Sequence, residues 1–258
     1  MSAETHHIAL TRGNLSLCAL ACSSDAPPTI FSGCVRLTTS PGSGEGLLAT
    51  DGKRLHATRS ALAPDASHLA WIPARASDAL DILAPGALPS DVIEWSPWGA
   101  SSQRLVSGEH GMTFPLREVP GPNINALRNI CAARGDEVAR VTDWRRYRLS
   151  SYSSSDMVLI SGRVGDDPPS PLRIDAWCSS EDVIKEERDA LLEKTRGSLR
   201  TVLRASFLKD AVRFVSNGGD PVTVTLPTNG ASGFGQGQVR LSSGTRVALV
   251  MPINAKET

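Results

Sequence analysis

The dense and even spacing of glycine and proline is the feature that most limits how this chain can fold. The 258 residues include 22 glycines and 17 prolines, and only 5% of the residues are aromatic. Glycine loosens the backbone and proline lacks an amide hydrogen, so both residues interrupt regular elements. The pattern predicts many short strands joined by turns, with few helices, all of them short.

Hydrophobic periodicity divides the chain into two halves of similar organisation. Candidate strands fall within residues 7–116 and again within 138–252. Between them the stretch VPGPN, at 119–123, is typical of a linker because it carries two prolines and a glycine. The sequence therefore predicts one domain at 1–120 and a second domain at 121–258.

Helical spacing of apolar residues is confined to a few segments. The predicted helices are residues 15–23 capped by Asn14, 74–83, 143–152 capped by Thr142, and 207–215 capped by Ser206. Residues 181–196 are compatible either with a helix or with a polar excursion of strand and loop.

The charge balance limits the ways in which the protein could bind nucleic acid. Its 27 basic and 27 acidic residues give a formal net charge of zero. A DNA-binding protein that relies on bulk attraction is usually basic, so this chain would need its positive charge segregated on one surface. The densest basic cluster is WRRYR at 144–148.

The sequence contains no residue pattern typical of a catalytic site, a metal site or a phosphate-binding loop. The five cysteines and five histidines form no metal-ligand spacing, and buried cysteine is a common small hydrophobe. The glycine-rich stretch GASGFGQG at 230–237 lacks the GK[ST] of a phosphate loop. We expect no catalytic residues, metal or cofactor, although an enzyme with an unrecognised site is a third alternative. We also expect a cytoplasmic protein, because no apolar run nears the roughly 20 residues of a membrane span.

Three stretches, in order, resemble the second and third domains of the bacterial DNA polymerase III beta subunit, the beta sliding clamp. Residues 30–59 contain the hairpin sequence ATDGKRL, and residues 71–123 contain WIPARASDALDIL and MTFPLREVPGPN. Residues 199–253 contain LRTVLRASFLKDAVRFV and end in RVALVMPI. Lys53 stands where the family more commonly has histidine, and His56 where it has a small residue.

The resemblance implies an α+β fold with two tandem DNA-clamp-type domains, each with short helices packed on antiparallel sheets. It implies a processivity factor, not an enzyme, that encircles double-stranded DNA without sequence preference. Such a ring tethers DNA polymerase, the clamp loader and other replication and repair proteins. Because the family builds six-domain rings from three-domain chains, two domains per chain imply a homo-oligomer of three copies.

The resemblance also implies two sets of site residues. In the family, a hydrophobic groove between the last two domains receives short linear peptides from partner proteins. Its counterparts here are Phe31, Thr50, Gly52, Lys53, Arg54, Leu55, Pro122, Leu249, Val250, Met251, Pro252 and Ile253. The candidate DNA contacts on helices are Arg12, Arg75, Arg145, Arg146, Arg148, Lys209 and Arg213.

Simpler interpretations stay open for both sets. The arginines could be ordinary solvated helix faces, and LVMPI could be only a buried terminal strand. A different function is also open, in which a regulatory adaptor keeps the peptide groove and binds clamp-partner peptides without closing a ring.

Overall fold

The computed structural model describes residues 8–23, 31–98, 100–116, 119, 121–132, 135–165, 171–177, 184–229, 235 and 237–253. The chain folds into two compact units, Met1–Asn129 and Ile130–Thr258. The sequence placed the domain boundary at 120/121, whereas the division between the two units falls within a helix that was not predicted, Ile124–Ala132. Arg128 of this helix donates from Nε to the Leu62 carbonyl at 3.0 Å, which attaches the start of the helix to the first unit.

The first unit contains ten elements before that helix, which is α3. They are β1 (Ile8–Thr11), α1 (Arg12–Ala19), β2 (Cys34–Ser40), β3 (Gly44–Thr50), β4 (Arg54–Thr58), β5 (Ser67–Pro73), α2 (Arg75–Leu83), β6 (Val92–Trp98), β7 (Ser102–Ser107) and β8 (His110–Pro115). The strands form two antiparallel groups, in the orders β1-β6-β7-β8 and β5-β2-β3-β4.

The second unit repeats the alternation of sheets and helices. Its elements are β9 (Asp136–Val141), β10 (Met157–Gly162), β11 (Arg173–Trp177), α4 (Ile184–Lys194), β12 (Leu199–Arg204), α5 (Ala205–Ser216), β13 (Val222–Leu226), β14 (Val239–Ser243) and β15 (Arg246–Val250). Its antiparallel groups run β11-β10-β12 and β9-β13-β14-β15.

Burial follows the period of each element. In β7 and β13 every second residue is buried, as expected for strands with one face on the core. In α5 the residues Leu208, Ala211, Val212 and Val215 form one buried face, which packs on β14 and β15. Leu208 is fully buried, and burying a leucine side chain contributes about 1.5–3 kcal/mol to stability.

Within the part of the chain that the structure describes, no helix is both long and apolar enough to cross a bilayer.

Two helix predictions, the start of α1 and the helix at 143–152, are wrong for identifiable reasons. Helix α1 begins at Arg12, not at residue 15, because Thr11 caps it and its Oγ1 accepts from the Asn14 amide at 3.2 Å. The predicted helix at 143–152 is instead two 3-10 turns, at Arg145–Tyr147 and Leu149–Ser151. Arg148 separates the turns in a left-handed conformation, with φ of 48°, and no α-helix continues through such a residue.

The remaining predicted helices lie close to the observed ones. Helix α2 spans Arg75–Leu83 where residues 74–83 were predicted, and α4 shows that the region 181–196 does contain a helix. Helix α5 begins at Ala205, with Arg204 and not Ser206 at its N-cap. The short helices and antiparallel sheets confirm the predicted α+β class.

Candidate functional site

The turn between β3 and β4 is held together by its own side chains. Asp51 accepts through Oδ1 from the amides of Lys53 and Arg54, each at 2.9 Å. Its other oxygen, Oδ2, lies 3.1 Å from Arg54 Nε, and both side chains are almost buried, at 10% and 12% exposure. Thr50 Oγ1 donates to the Arg54 carbonyl at 2.7 Å and accepts from the Gly52 amide at 3.1 Å. The ATDGKRL sequence therefore builds a rigid turn.

Only part of the predicted peptide-binding set on the first unit is available to a partner. Thr50 and Leu55 are buried, and the Arg54 guanidinium is engaged by Asp51. Gly52 and Lys53 are exposed, and Gly52 has a φ of 85°, a left-handed conformation that favours glycine. Phe31 packs against the buried cluster of Cys34, Trp71 and Val119 and is only half-buried itself, and Pro122 is also half-buried.

His56, the departure from the family pattern just after this turn, is a core residue. Its side chain is fully buried, and its Nδ1 donates to the Leu17 carbonyl at 3.1 Å. Burial lowers the pKa of His56 to about 4, because the imidazolium would lose its hydration, and the nearby Arg54 lowers it further. The hydrogen bond to Leu17 and the charge of Asp51 oppose this shift without cancelling it.

This buried histidine predicts an acid-sensitive stability. The unfolded chain protonates His56 near 6.5 and the folded chain only near 4, so between these values the unfolded state holds more protons. The free energy of unfolding therefore falls as the pH falls, by up to about 3 kcal/mol from this group. Urea unfolding of the His56→Gln variant between about pH 7 and about pH 4 should show a shallower decline than the wild type. The matched control is His110→Gln at an exposed position, and identical profiles for all three proteins would contradict the prediction.

Some candidate residues at the end of the second unit are buried, and others are accessible to a partner. Leu249 and Val250 lie in β15 and are buried, whereas Met251 is 40% exposed and Pro252 and Ile253 are half-buried. The Ile253 amide donates to the Val202 carbonyl at 2.9 Å, so the segment after β15 runs beside β12. The accessible residues are Met251, Pro252 and Ile253.

The sequence did not single out two neighbours of this segment. Arg204 ends β12, and its guanidinium lies 5.5 Å from the centre of the Phe207 ring on the first turn of α5. Arg204 is exposed and Phe207 is half-buried. A cation stacked on an aromatic ring is a common binding element. The sequence does not show that the Arg204–Phe207 pair lies near the candidate segment, because that proximity follows from the contact between Ile253 and β12.

Five of the seven predicted DNA-binding residues lie on adjacent elements of the second unit. Arg145, Arg146 and Arg148 are exposed on the two 3-10 turns, and Lys209 and Arg213 lie on α5, which packs against the second turn. Lys209 Nζ donates to the Tyr152 carbonyl, which ties α5 to the end of these turns. We call Arg145, Arg146, Arg148, Lys209 and Arg213 the basic surface.

Aromatic contacts hold part of the basic surface in place. The Arg146 guanidinium lies 4.8 Å from the centre of the Tyr147 ring and donates to its hydroxyl at 2.7 Å. Tyr147 in turn packs on Trp144, with 5.5 Å between the ring centres. Burial raises the pKa of Tyr147, so its hydroxyl stays protonated and adds no negative charge to the surface.

Arg12 and Arg75, the two candidates on the first unit, differ from this group. Arg12 is 6% exposed, and its guanidinium contacts Asp81 Oδ1 at 2.6 and 2.8 Å and the Ala84 carbonyl at 3.2 Å. A phosphate contact would break this ion pair, so we remove Arg12 from the proposed DNA-binding residues. Arg75 is exposed, but helix α2 that carries it also carries Asp78 and Asp81.

The cysteines that the structure describes are packing residues. Cys18, Cys22, Cys34 and Cys131 are buried, and Cys178 lies outside the described residues. Burial raises the pKa of Cys22 to about 12 and that of Cys131 to about 11, which makes both thiols unreactive. Among the side chains that the structure describes, no three histidine, cysteine or carboxylate groups converge as metal ligands.

Comparison with solved structures gives the fold its name. The chain superimposes on a DNA polymerase sliding clamp from Pseudomonas aeruginosa with a TM-score of 0.62 and 12% identity, covering 96% of this chain. The chain has the sliding-clamp fold. DNA polymerase III subunit beta from Borrelia burgdorferi gives a TM-score of 0.62 at 10% identity, and the clamp from Caulobacter crescentus gives 0.60 at 13%, each covering 98% of this chain.

The sliding-clamp fold here is a shorter form. The chain spans 66% of the Pseudomonas aeruginosa clamp, 66% of the Borrelia burgdorferi subunit and 67% of the Caulobacter crescentus clamp. No protein-family model matches the chain, and no curated protein matches it. The structural comparison confirms the resemblance drawn from ATDGKRL and VMPI at the level of the fold.

Proposed function

We propose that this protein is a DNA sliding clamp that encircles duplex DNA and tethers replication and repair proteins to it. The observation that carries this proposal is the sliding-clamp fold over 96% of the chain. A clamp is a binding protein and not an enzyme, and it acts in the cytoplasm where the chromosome is copied.

The basic surface supports the DNA-binding part of the proposal. A chain of zero net charge attracts DNA only through a segregated positive surface, and five basic side chains lie on α5 and on the two 3-10 turns next to it in the second unit. Contacts from lysine and arginine to phosphates carry no sequence information, so they permit sliding. Arg75 is the remaining candidate on the first unit.

A homotrimer is the proposed assembly. Three copies of a two-domain chain reach the six domains of the family's rings, provided that the two ends of the chain pair head to tail. Strand edges suit this role because they leave backbone donors and acceptors without a partner. Strand β8 is the outer strand of its sheet in the first unit, and β11 is the outer strand of its sheet in the second.

Partner proteins would bind through short linear peptides. On each unit the peptides would contact those candidate residues that are not buried. On the first unit these are Gly52, Lys53, Phe31 and Pro122, and on the second they are Met251, Pro252 and Ile253. Methionine adapts to ligands of different shape, and proline offers a rigid apolar surface. DNA polymerase and a clamp loader are the proposed partners.

Retention on circular DNA tests the central proposal. The protein, loaded on nicked circular DNA and passed through a sizing column in about 0.5 M salt, should stay with the circles and leave them after linearisation, because salt at this strength screens surface contacts. Light scattering should give three times the 27.4 kDa mass of one chain. A monomer by light scattering, or equal retention on circular and linear DNA, would contradict a closed ring.

The second candidate is a regulatory adaptor that binds clamp-partner peptides without encircling DNA. The zero net charge and the acidic residues on α2 favour it, since a ring interior needs positive charge. The same experiment separates the two functions, because an adaptor binds circular and linear DNA alike or not at all.

A further inference from the structure

A second cluster of positive charge lines a cleft in the second unit, away from the basic surface. The cleft has a volume of about 240 Å³ and receives basic side chains from three segments of the chain. Arg163 directly follows β10, Arg173 begins β11, and Lys194 ends α4. Among the residues that the structure describes, the lining is completed by Ser161, Gly162, Pro171 and Ser198, so it contains no carboxylate.

The described residues provide little compensation for the charges in this cleft. Lys194 Nζ lies 3.5 Å from Asp175 Oδ1, and at 54% exposure of the lysine this pair is screened by solvent. Within the described ranges neither Arg163 nor Arg173 forms an ion pair. Three cations around one small space repel each other, and a bound anion would remove that repulsion.

A neighbouring cleft shows that this charge imbalance is local. It has a volume of about 370 Å³ and shares Ser198 with the first cleft. Its basic lining residues, Arg196 and Arg200, are balanced by Asp189 and Glu193. Of these two clefts, only that of Arg163, Arg173 and Lys194 has an excess of positive charge among its described lining residues.

We propose that the cleft formed by Arg163, Arg173 and Lys194 binds a phosphate group. At about 240 Å³ it is smaller than the roughly 300–1,000 Å³ of sites for drug-sized ligands, so it suits a small anion. Arginine forks match the spacing of phosphate oxygens, and Ser161 and Ser198 bring hydroxyl groups to the same lining. A phosphate charge of about −1.5 to −2 offsets most of the three positive charges, whereas a single carboxylate would not. The phosphate comes either from a small phosphorylated compound or from a DNA strand.

This phosphate site is separate from the candidate peptide segment at the end of the chain. In the pairing of β10 with β12, Gly162 lies opposite Leu199 and Met157 lies opposite Arg204. The cleft is at the Leu199 end, and Arg204 with its Phe207 contact is at the other end, five residues away along β12. At about 3.3 Å per residue this separation is roughly 17 Å, so the two sites can be altered independently.

Calorimetric titration of the full chain with pyrophosphate tests the proposal. The wild type should bind pyrophosphate and not sodium chloride of the same ionic strength, and the double variant Arg163→Gln/Arg173→Gln should bind at least about tenfold more weakly. The control Arg59→Gln/Arg140→Gln removes the same charge from exposed positions outside both the cleft and the basic surface, and it should bind like the wild type. Because Arg163 and Arg173 are exposed, the double variant should keep the wild-type urea midpoint.

A fluorescent single-stranded oligonucleotide distinguishes the two sources of phosphate. If the site holds a DNA strand, the same double substitution weakens oligonucleotide binding and pyrophosphate displaces the strand. If it holds a small compound, pyrophosphate binding depends on Arg163 and Arg173 while oligonucleotide binding does not. A wild-type response no greater than that to chloride, or a double variant with wild-type affinity, would overturn the proposal. None of these measurements requires a ring, so the result is independent of the proposed clamp function.

Discussion

Replacing Arg145, Arg146 and Arg148 together by glutamine is expected to weaken binding to duplex DNA by about 100-fold at low salt. All three side chains are exposed, and they belong to the densest part of the basic surface. Each lost phosphate contact lowers the slope of log affinity against log salt by about 0.9, so three contacts lower it by about 2.7. Fluorescence anisotropy of a labelled duplex over a series of salt concentrations measures both quantities.

A charge-matched control separates a local site from bulk attraction. Arg59, Arg140 and Arg196 are exposed arginines that lie outside the basic surface, and their joint replacement by glutamine removes the same three charges. That control should keep an affinity within about threefold of the wild type, because surface charges far from a phosphate are screened. Equal losses in the two triple variants would show that DNA responds only to net charge, and would remove the basic surface from the proposed function.

The Gly46→Ala substitution is expected to lower the free energy of unfolding by about 2–4 kcal/mol. Gly46 lies in β3 beneath the 3-10 turn Ser60–Leu62. A Cβ atom at this position would lie 2.4 Å from the Ala61 nitrogen, 2.6 Å from the Ala61 Cα and 2.6 Å from Thr38 Oγ1. Two of these atoms belong to the backbone, so the turn itself would have to move away from the sheet. Urea unfolding of the full chain measures the loss.

Gly42→Ala is the matched control for this substitution. Gly42 is exposed, and a Cβ atom added there would have Asp65 Oδ2 as its nearest neighbour, at 4.0 Å. An alanine at this position should change stability by no more than about 0.5 kcal/mol, as is usual for surface substitutions. If Gly46→Ala unfolds within about 0.5 kcal/mol of Gly42→Ala, the turn at residues 60–62 is not packed as tightly on β3 as the structure shows.

Local patterns predicted most of the elements, because alternation and turn residues report on local structure. Helix α2 was predicted at 74–83 and observed at Arg75–Leu83, one residue shorter. The wrong predictions lie where contacts within the fold override the local preference of the sequence. Residues 143–152 have helical composition, yet Arg148 takes a left-handed conformation and Trp144 packs on Tyr147.

The candidate sites were predictable as sequence segments but not as surfaces. The sequence indicates a tight turn at Asp51-Gly52, but it does not reveal that Asp51 occupies the Arg54 guanidinium. Likewise Arg12 pairs with Asp81, 69 residues later in the chain, and no local pattern reports on such a contact. The phosphate cleft was missed for the same reason, since Arg163, Arg173 and Lys194 come from three separate segments.

The self-contained turn at Asp51–Arg54 also bears on how a protein of this kind could change partners over evolution. Its framework is completed by Thr50, Asp51 and Arg54, and Gly52 supplies the required backbone conformation. Lys53 contributes only its amide to this framework, and its side chain is exposed. Position 53 is thus free to drift among residue types while the turn persists. In the proposed clamp, partner preference can therefore change at this position at almost no cost in stability, and lysine in place of histidine is the kind of exchange that such freedom permits.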